Sequence, residues 1–305
     1  MSVINNKLFS CIDIGSNSVV LSICEVNFNN LNEVLHLSFV TELGKGLSTK
    51  SKFDDSSIEK TKVAFYEIKN KLKNLNVPES NLFVTGTEAC RVAENAELLQ
   101  NLVKSVFGTT LEIVSGEREA ELCLRGQELL GLKLTEATLV DIGGASTEVI
   151  SKNFIENRLN FTKSYKIGVV KLREQLKGHD DRGVAILSDI FHDIPSGFFK
   201  GKKVFFSAGS MTTFASMLIK DTSIDPDRIN GLSLTSSYVT EEIDKFLDMS
   251  DNELMTHYPQ VLKRIKTIKQ GMMIVRFLIE NKNLSELVFT TFGLRHGVLV
   301  EKVNS

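Results

Sequence analysis

The chain of 305 residues is 42% hydrophobic and 24% charged, with a formal net charge of −2. That composition describes a globular protein long enough for two domains of ordinary size. It excludes a general nucleic-acid binder, DNA or RNA, which needs a strong basic excess, and no apolar run reaches the ~18 residues that would span a bilayer, so no membrane partner is expected.

The first residues, Met1 to Lys7, lack a basic region followed by an apolar stretch, so the cytoplasm is the expected location. An apolar run from Leu8 ends in Asp13-Ile14-Gly15, a polar turn Ser16-Asn17-Ser18 follows, and a second apolar run begins at Val19. Two strands joined by a tight turn are expected there. Residues 34–40 read as a further strand and 43–55 as a loop. Ser56 and Glu59 have the spacing of a capping box before a helix whose apolar face holds Phe65, Ile68, Leu72 and Leu75. A short strand is expected over Asn81–Thr85, a turn or helix from Thr87 to Arg91, a helix over Asn95–Val106, a strand over Leu111–Val114 and a helix over Glu117–Leu130.

The second half repeats the style. Residues 137–150 again run apolar, Asp141-Ile142-Gly143, small turn, apolar. A strand is expected over Phe154–Tyr165, helices over Val169–Gln175 and Val184–Phe191, a strand over Lys203–Phe206 and a helix over Met211–Ile219. Pro226 marks a loop. Helices follow over Tyr238–Met249 and Leu254–Tyr258, then one long amphipathic helix over 260–281, a strand over Leu287–Thr290 and a closing helix over Leu294–Val303. An Asp-Ile-Gly phrase that recurs one domain length later implies duplication of an α/β unit. The expected domains are 1–124 joined by 294–305, and 125–293, with a ligand cleft between them.

Several patterns carry chemistry, each beside a plainer reading. Gly15, Ser16, Asn17 and Ser18 offer bare amides and hydroxyls to a phosphate; Gly-Ser-Asn is also ordinary hairpin-turn chemistry. In the second copy Asp141 and Glu148 stand at the two ends of a turn, where their carboxylates could share a cation. Gly209 and Ser210 open a helix after a strand, which suits an anion or simple capping by Ser210. Arg91, just after a strand end, could clamp a phosphate bidentately or make a surface ion pair. Glu117, Glu119 and Glu121 either complement a helix dipole or include a general base. The basic residues Lys263, Arg264, Lys266 and Lys269 read as a solvated face or a guide for a polyanion. The cysteines Cys11, Cys24, Cys90 and Cys123 form no C-x-x-C pair and read as reduced and buried. The five histidines have no metal-ligand spacing.

Eight segments, in order, resemble the exopolyphosphatase and guanosine pentaphosphate phosphohydrolase (Ppx/GppA) family, part of the actin-like ATPase superfamily. They are Ile12 to Ser18; Leu43-Gly44-Lys45-Gly46-Leu47; Thr87 to Asn95; Ser115-Gly116 to Glu119-Ala120; Asp141-Ile142-Gly143-Gly144 to Glu148; Gly168 to Leu172; Gly209 to Ala215; and Gly293-Leu294-Arg295-His296-Gly297. The resemblance implies two ribonuclease H-like α/β domains and Mg²⁺-dependent hydrolysis (Mn²⁺ as an alternative) of a terminal phosphoanhydride bond. The implied substrate is polyphosphate or guanosine pentaphosphate, with a homodimer left open. It matches Glu119 to the catalytic base and Arg91 to a phosphate-contacting arginine. Asp141, Glu148 and Asp13 match the acidic metal set. Gly144, Ala145, Ser146, Gly209 and Ser210 match the phosphate turns, with Gly15 to Ser18 across from them. The chain departs from the family pattern at Glu42 (usually arginine), Arg118 (usually the first of two glutamates), Ala145 (usually glycine), Ala208-Gly209-Ser210 (usually Gly-Gly-Thr) and Lys266 (usually aspartate). A non-hydrolytic sensor of polyphosphate or guanosine polyphosphates on the same fold is the alternative function.

Overall fold

In the computed structural model, which describes residues 7–27, 30–131, 136–153, 155, 156 and 158–303, eleven strands form two sheets. The chain divides into two compact units, one running to Leu129 and regaining Leu294 onward, the other Leu130–Gly293.

The first unit holds β1 (Lys7–Ile14), β2 (Ser18–Asn27), β3 (Asn30–Val40), β4 (Leu82–Gly86) and β5 (Leu111–Ile113), ordered β3-β2-β1-β4-β5. The first three strands form an antiparallel meander, and β4 and β5 join in parallel through helical crossovers. That arrangement explains the largely apolar β1, which lies inside the sheet with neighbours on both sides and buries Phe9 to Ile12 and Ile14. The helices Asp55–Asn74 and Glu97–Phe107 bury Phe65, Ile68 and Val103 against Ile12, Leu21 and Val84, with the Phe65 and Phe107 rings edge to face at 5.1 Å.

The second unit repeats the order. Strands β6 (Glu136–Ile142), β7 (Thr147–Asn153), β8 (Arg158–Tyr165), β9 (Lys203–Ser207), β10 (Leu232–Thr235) and β11 (Glu286–Phe289) are arranged β10-β11-β9-β6-β7-β8. Without the edge strand β10 this is the first sheet again, strand for strand. The two units therefore repeat one α/β arrangement, as the duplication implies, and it is the ribonuclease H-like one that the family resemblance implies. The sequence-expected start of β8 at Phe154 lies outside the described residues.

Three local expectations are corrected. The helix over 55–74 is capped by Asp54, whose carboxylate accepts from the Ser57 amide at 2.9 Å, and not by a Ser56/Glu59 box. An aspartate in extended backbone one residue ahead of the helix is an equally strong cap and serves the same orphan amides. The stretch after Pro226 is not only loop: one helical turn, Pro226–Ile229, leads into β10. The long helix over 260–281 is broken into a 3₁₀ segment Pro259–Arg264 and a helix Ile268–Lys282, because Thr267 leaves the helical region at φ −137. The apolar period runs through the break, so periodicity alone did not show it. Among the described residues no helix is long and apolar enough to cross a membrane.

Candidate functional site

The repeated phrase folds into the same turn twice. The Gly15 amide donates to the Ser18 carbonyl at 3.0 Å, and the Gly143 amide to the Ser146 carbonyl at 3.0 Å. A Cβ on Gly15 would lie 3.3 Å from that carbonyl, and one on Gly143 3.2 Å, so glycine is the residue that fits the closure in both. In each copy a second glycine packs onto the turn. The Gly44 amide donates to Ser16 at 2.7 Å, while Gly168 sits against the Gly143 and Gly144 main chain and the following helix, Val169–Leu176, turns its first amides onto their carbonyls. The amides of that helix start are therefore spent within the protein.

In the second unit, Asp141 of β6 lies directly opposite Glu148 of β7. Directly opposed residues of an antiparallel pair share a face, so both carboxylates project from the same side of the sheet. The row extends in both directions, to Ser207 of β9 beside Asp141 and to Ser164 of β8 beside Glu148. Ser164 Oγ donates to Glu148 Oε1 at 2.7 Å, and Ser207 Oγ donates to Asp141 Oδ2. Glu148 is 1% exposed and Ser207 fully buried. Gly144 and the buried Ala145 and Ser146 complete the turn beside the pair. Ala145 lies outside the left-handed region, so the methyl that replaces the usual glycine brings no backbone strain.

Gly209 and the buried Ser210 open the helix Gly209–Leu218 right after β9. The residue before them, Ala208, has φ 75 and ψ 162, a conformation that only glycine adopts without strain. Gly209 lies under the Arg264 guanidinium, and a Cβ there would collide with it. The break at Thr267 places Arg264 at the end of its own segment, and arginine and helix start meet there. Lys266 is exposed.

In the first unit Arg91 and Glu119 are brought together. Arg91 Nη1 donates to Glu119 Oε2 at 2.9 Å and to the Val114 carbonyl at 2.7 Å, while its Nε and Nη2 reach Glu88 Oε2 at 3.2 and 3.0 Å. Glu88 and Glu119 are buried. Burial works against the Arg91 charge, but the two carboxylates outweigh it and hold its pKa above the usual arginine value. Arg91 is thus neither a surface ion pair nor a guanidinium facing only solvent. Glu119 rides on the helix Gly116–Gly126, capped by Ser115. Arg118, on the same helix, binds Glu301 of the C-terminal helix Leu294–Val303, as does Arg125. Gly297 lets that helix press against the Leu122 carbonyl. The departure at Arg118 therefore has a structural use, a tie between the Glu119 helix and the C-terminal helix. Asp13 stands in β1 opposite Val20, with Thr85 on its other side. Glu42 adopts φ 56 and pairs with Lys60 at 2.6 Å.

Below the C-terminal helix, Glu33 Oε1 lies 3.4 Å from His296 Nε2 and 3.5 Å from His36 Nδ1. Burial lowers the His296 pKa to about 4, and the histidine contacts hold Glu33 ionised well below its usual range against its own burial. All four cysteines are buried and free, as expected. Burial raises the thiols of Cys24 and Cys90 to about 12, which leaves no reactive thiolate there.

The Ppx/GppA phosphatase family model matches residues 19–305. The chain belongs to the Ppx/GppA phosphatase family. It is 26% identical to the Ppx/GppA family member of Aquifex aeolicus over 98% of both chains, and the two structures superpose with a TM-score of 0.79. It is 29% identical over 147 residues to a guanosine-5'-triphosphate,3'-diphosphate pyrophosphatase of Pseudoalteromonas atlantica, which is 48% of this chain and 29% of that protein. It is also 26% identical to a bifunctional 3-dehydroquinate synthase/phosphatase of Fusobacterium nucleatum, over 99% of this chain and 47% of that one. The chain thus spans less than half the length of these two curated relatives.

Sequence reasoning missed Ser164, Ser207 and Glu88. The two serines reach the carboxylates through strand pairing, which no local spacing shows. Glu88 lies within the motif that holds Arg91, three residues ahead of it on a helix, and that spacing was the available signal.

Proposed function

We propose that this protein releases orthophosphate from the end of inorganic polyphosphate or guanosine pentaphosphate, with Mg²⁺ or Mn²⁺ as cofactor. The observation that carries the proposal is the in-register pair Asp141 and Glu148 beside the Gly143–Ser146 turn. Among the described residues no group of three or more His, Cys, Asp or Glu side chains is placed to cage a metal ion. Two hard carboxylates beside a phosphate turn nonetheless fit Mg²⁺, which is held by one or two carboxylates with phosphate oxygens and waters as its other ligands. Asp141 and Glu148 are the residues that would hold it. A bound divalent cation neutralises charge on the phosphate oxygens of the leaving and transferred groups.

The remaining roles belong to the chain. The turns at Gly15–Ser18 and Gly144–Ser146 and the helix start at Gly209-Ser210 hold phosphate oxygens, and Asp13 supplies an acid at the first turn. Glu119 accepts the proton of the attacking water. Arg91 orients Glu119 through one carboxylate oxygen, which fixes the direction of the other. Family membership supports the phosphatase chemistry, and the relatives named guanosine pyrophosphatases support the nucleotide as substrate.

The Arg91–Glu119 ion pair also favours a second reading, binding of the same anions without hydrolysis, since the carboxylate that would take the water's proton is already engaged by an arginine at 2.9 Å. One assay separates the two: orthophosphate release from long polyphosphate, short polyphosphate, guanosine pentaphosphate and ATP, for wild type and Glu119→Gln. The expected outcome is release from one of the first three substrates, falling ~10²–10⁴-fold in the variant with anion binding retained. Unchanged turnover in Glu119→Gln overturns the base assignment, and wild-type binding without release establishes the second reading.

A further inference from the structure

Two hydroxyls bracket the carboxylate pair. Across four neighbouring strands the residues in register are Ser207, Asp141, Glu148 and Ser164. Each serine donates to the adjacent carboxylate, Ser164 to Glu148 Oε1 at 2.7 Å and Ser207 to Asp141 Oδ2. The first unit shows that this is not a by-product of the fold. There the same four places are Thr85, Asp13, Val20 and Ser38. Thr85 donates to the main-chain carbonyl of Ile12 at 3.3 Å. A hydroxyl beside the β-strand aspartate can therefore serve the backbone, and in the second unit it serves the carboxylate.

We infer that Ser164 and Ser207 are positioning residues that set the orientation of Glu148 and Asp141 toward a divalent cation. The inference rests on the cation reading of that carboxylate pair. The physical reason is general: a hydrogen bond to one oxygen of a ligating carboxylate fixes its last torsion, so less orientational freedom is lost when an ion binds, and it stabilises the ionised form that ligates. Glu148 is buried and rigidly framed, so its orientation cannot be corrected cheaply by solvent.

The test is Mn²⁺ binding to the full chain, read by electron paramagnetic resonance or calorimetry with the metal alone. It compares wild type, Ser164→Ala, Ser164→Thr, Ser207→Ala and Glu148→Gln, with melting temperatures recorded for each. Ser164→Thr keeps the hydroxyl at a half-buried position of the strand. Each alanine variant is expected to bind Mn²⁺ ~10-fold more weakly, with Ser164→Thr close to wild type and Glu148→Gln weakest. Ser164→Ala carries the test alone if Ser207→Ala melts early, since Ser164 is only half-buried. Wild-type affinity in both alanine variants, with binding lost in Glu148→Gln, overturns the serine roles and leaves the cation reading standing. No saturable binding by wild type, or full binding by Glu148→Gln, overturns both. An affinity that falls in Ser164→Thr as far as in Ser164→Ala shows a packing effect and overturns the role of Ser164.

Discussion

The two Asp-Ile-Gly turns share a closure, a flanking glycine and a strand order, and they differ at one place that matters. Opposite Asp13 stands Val20; opposite Asp141 stands Glu148. In the first unit the row therefore carries a single carboxylate, and its ion-pair chemistry lies elsewhere, in Glu88, Arg91 and Glu119. In the second it carries two carboxylates, each held by a serine. Duplication supplied one frame twice, and side chains at equivalent places specialised it. The frames also differ after the central parallel strand. Gly86, the place equivalent to Ala208, lies outside the left-handed region, while Ala208 is driven to φ 75.

That asymmetry can be broken at three points. The largest effect is expected at the glycines that press on the turns. Gly168→Ala would place its Cβ 2.5 Å from the Gly143 carbonyl oxygen and 2.6 Å from the Gly144 carbonyl carbon, both main chain. Gly44→Ala would meet the Ser16 Cβ at 2.7 Å, with the Ser16 carbonyl oxygen further off at 3.2 Å. Gly168→Ala should destabilise by ~3 kcal/mol and Gly44→Ala by ~1–2 kcal/mol, measured from urea midpoints. Equal losses would mean that the two turns are equally adaptable.

Acid should act on the first unit. The folded His296 pKa is about 4 against an ordinary 6.5, so the unfolded chain binds the proton first as pH falls. The stability this histidine leaves intact above pH 6.5 is therefore lost progressively between pH 6.5 and 4, on the order of 2 kcal/mol by pH 5. Glu33, also held below its ordinary value, adds loss in the same direction as it protonates. Melting temperature against pH for wild type and His296→Gln checks this; a wild-type slope that persists unchanged in the variant refutes it.

The smallest effect has the opposite sign. Ala208→Gly removes a Cβ from a backbone conformation that glycine tolerates and should stabilise the second unit by ~1 kcal/mol. A lower melting temperature for Ala208→Gly would show that the alanine is relaxed where it stands.

Much of the frame was legible because its causes are local. The apolar runs into Asp13 and Asp141, the glycines that close each turn and the alternation of helix and strand all follow from residue-by-residue sterics and burial, and they were enough to imply two copies of one α/β unit. Asp141 and Glu148 were legible as chemistry because two carboxylates at the ends of one glycine turn need a reason, whereas Glu119 was separated from Glu117 and Glu121, and Arg91 from a surface ion pair, only by the family resemblance. What the chain order does not encode is which groups meet across strands and helices. Asp54 displaced a capping box that spacing favoured, Thr267 broke a helix that periodicity joined, and Arg264 was carried onto Gly209 as a result. Arg91 found Glu119 from 28 residues away and Ser207 found Asp141 from 66. The sequence by itself determined the duplicated frame and the acids it displays, since turn closure and hydrophobic burial act on neighbours in the chain. Only the tertiary structure decided which hydroxyl or guanidinium holds each acid, because those partners are set by strand pairing and helix packing between separate segments.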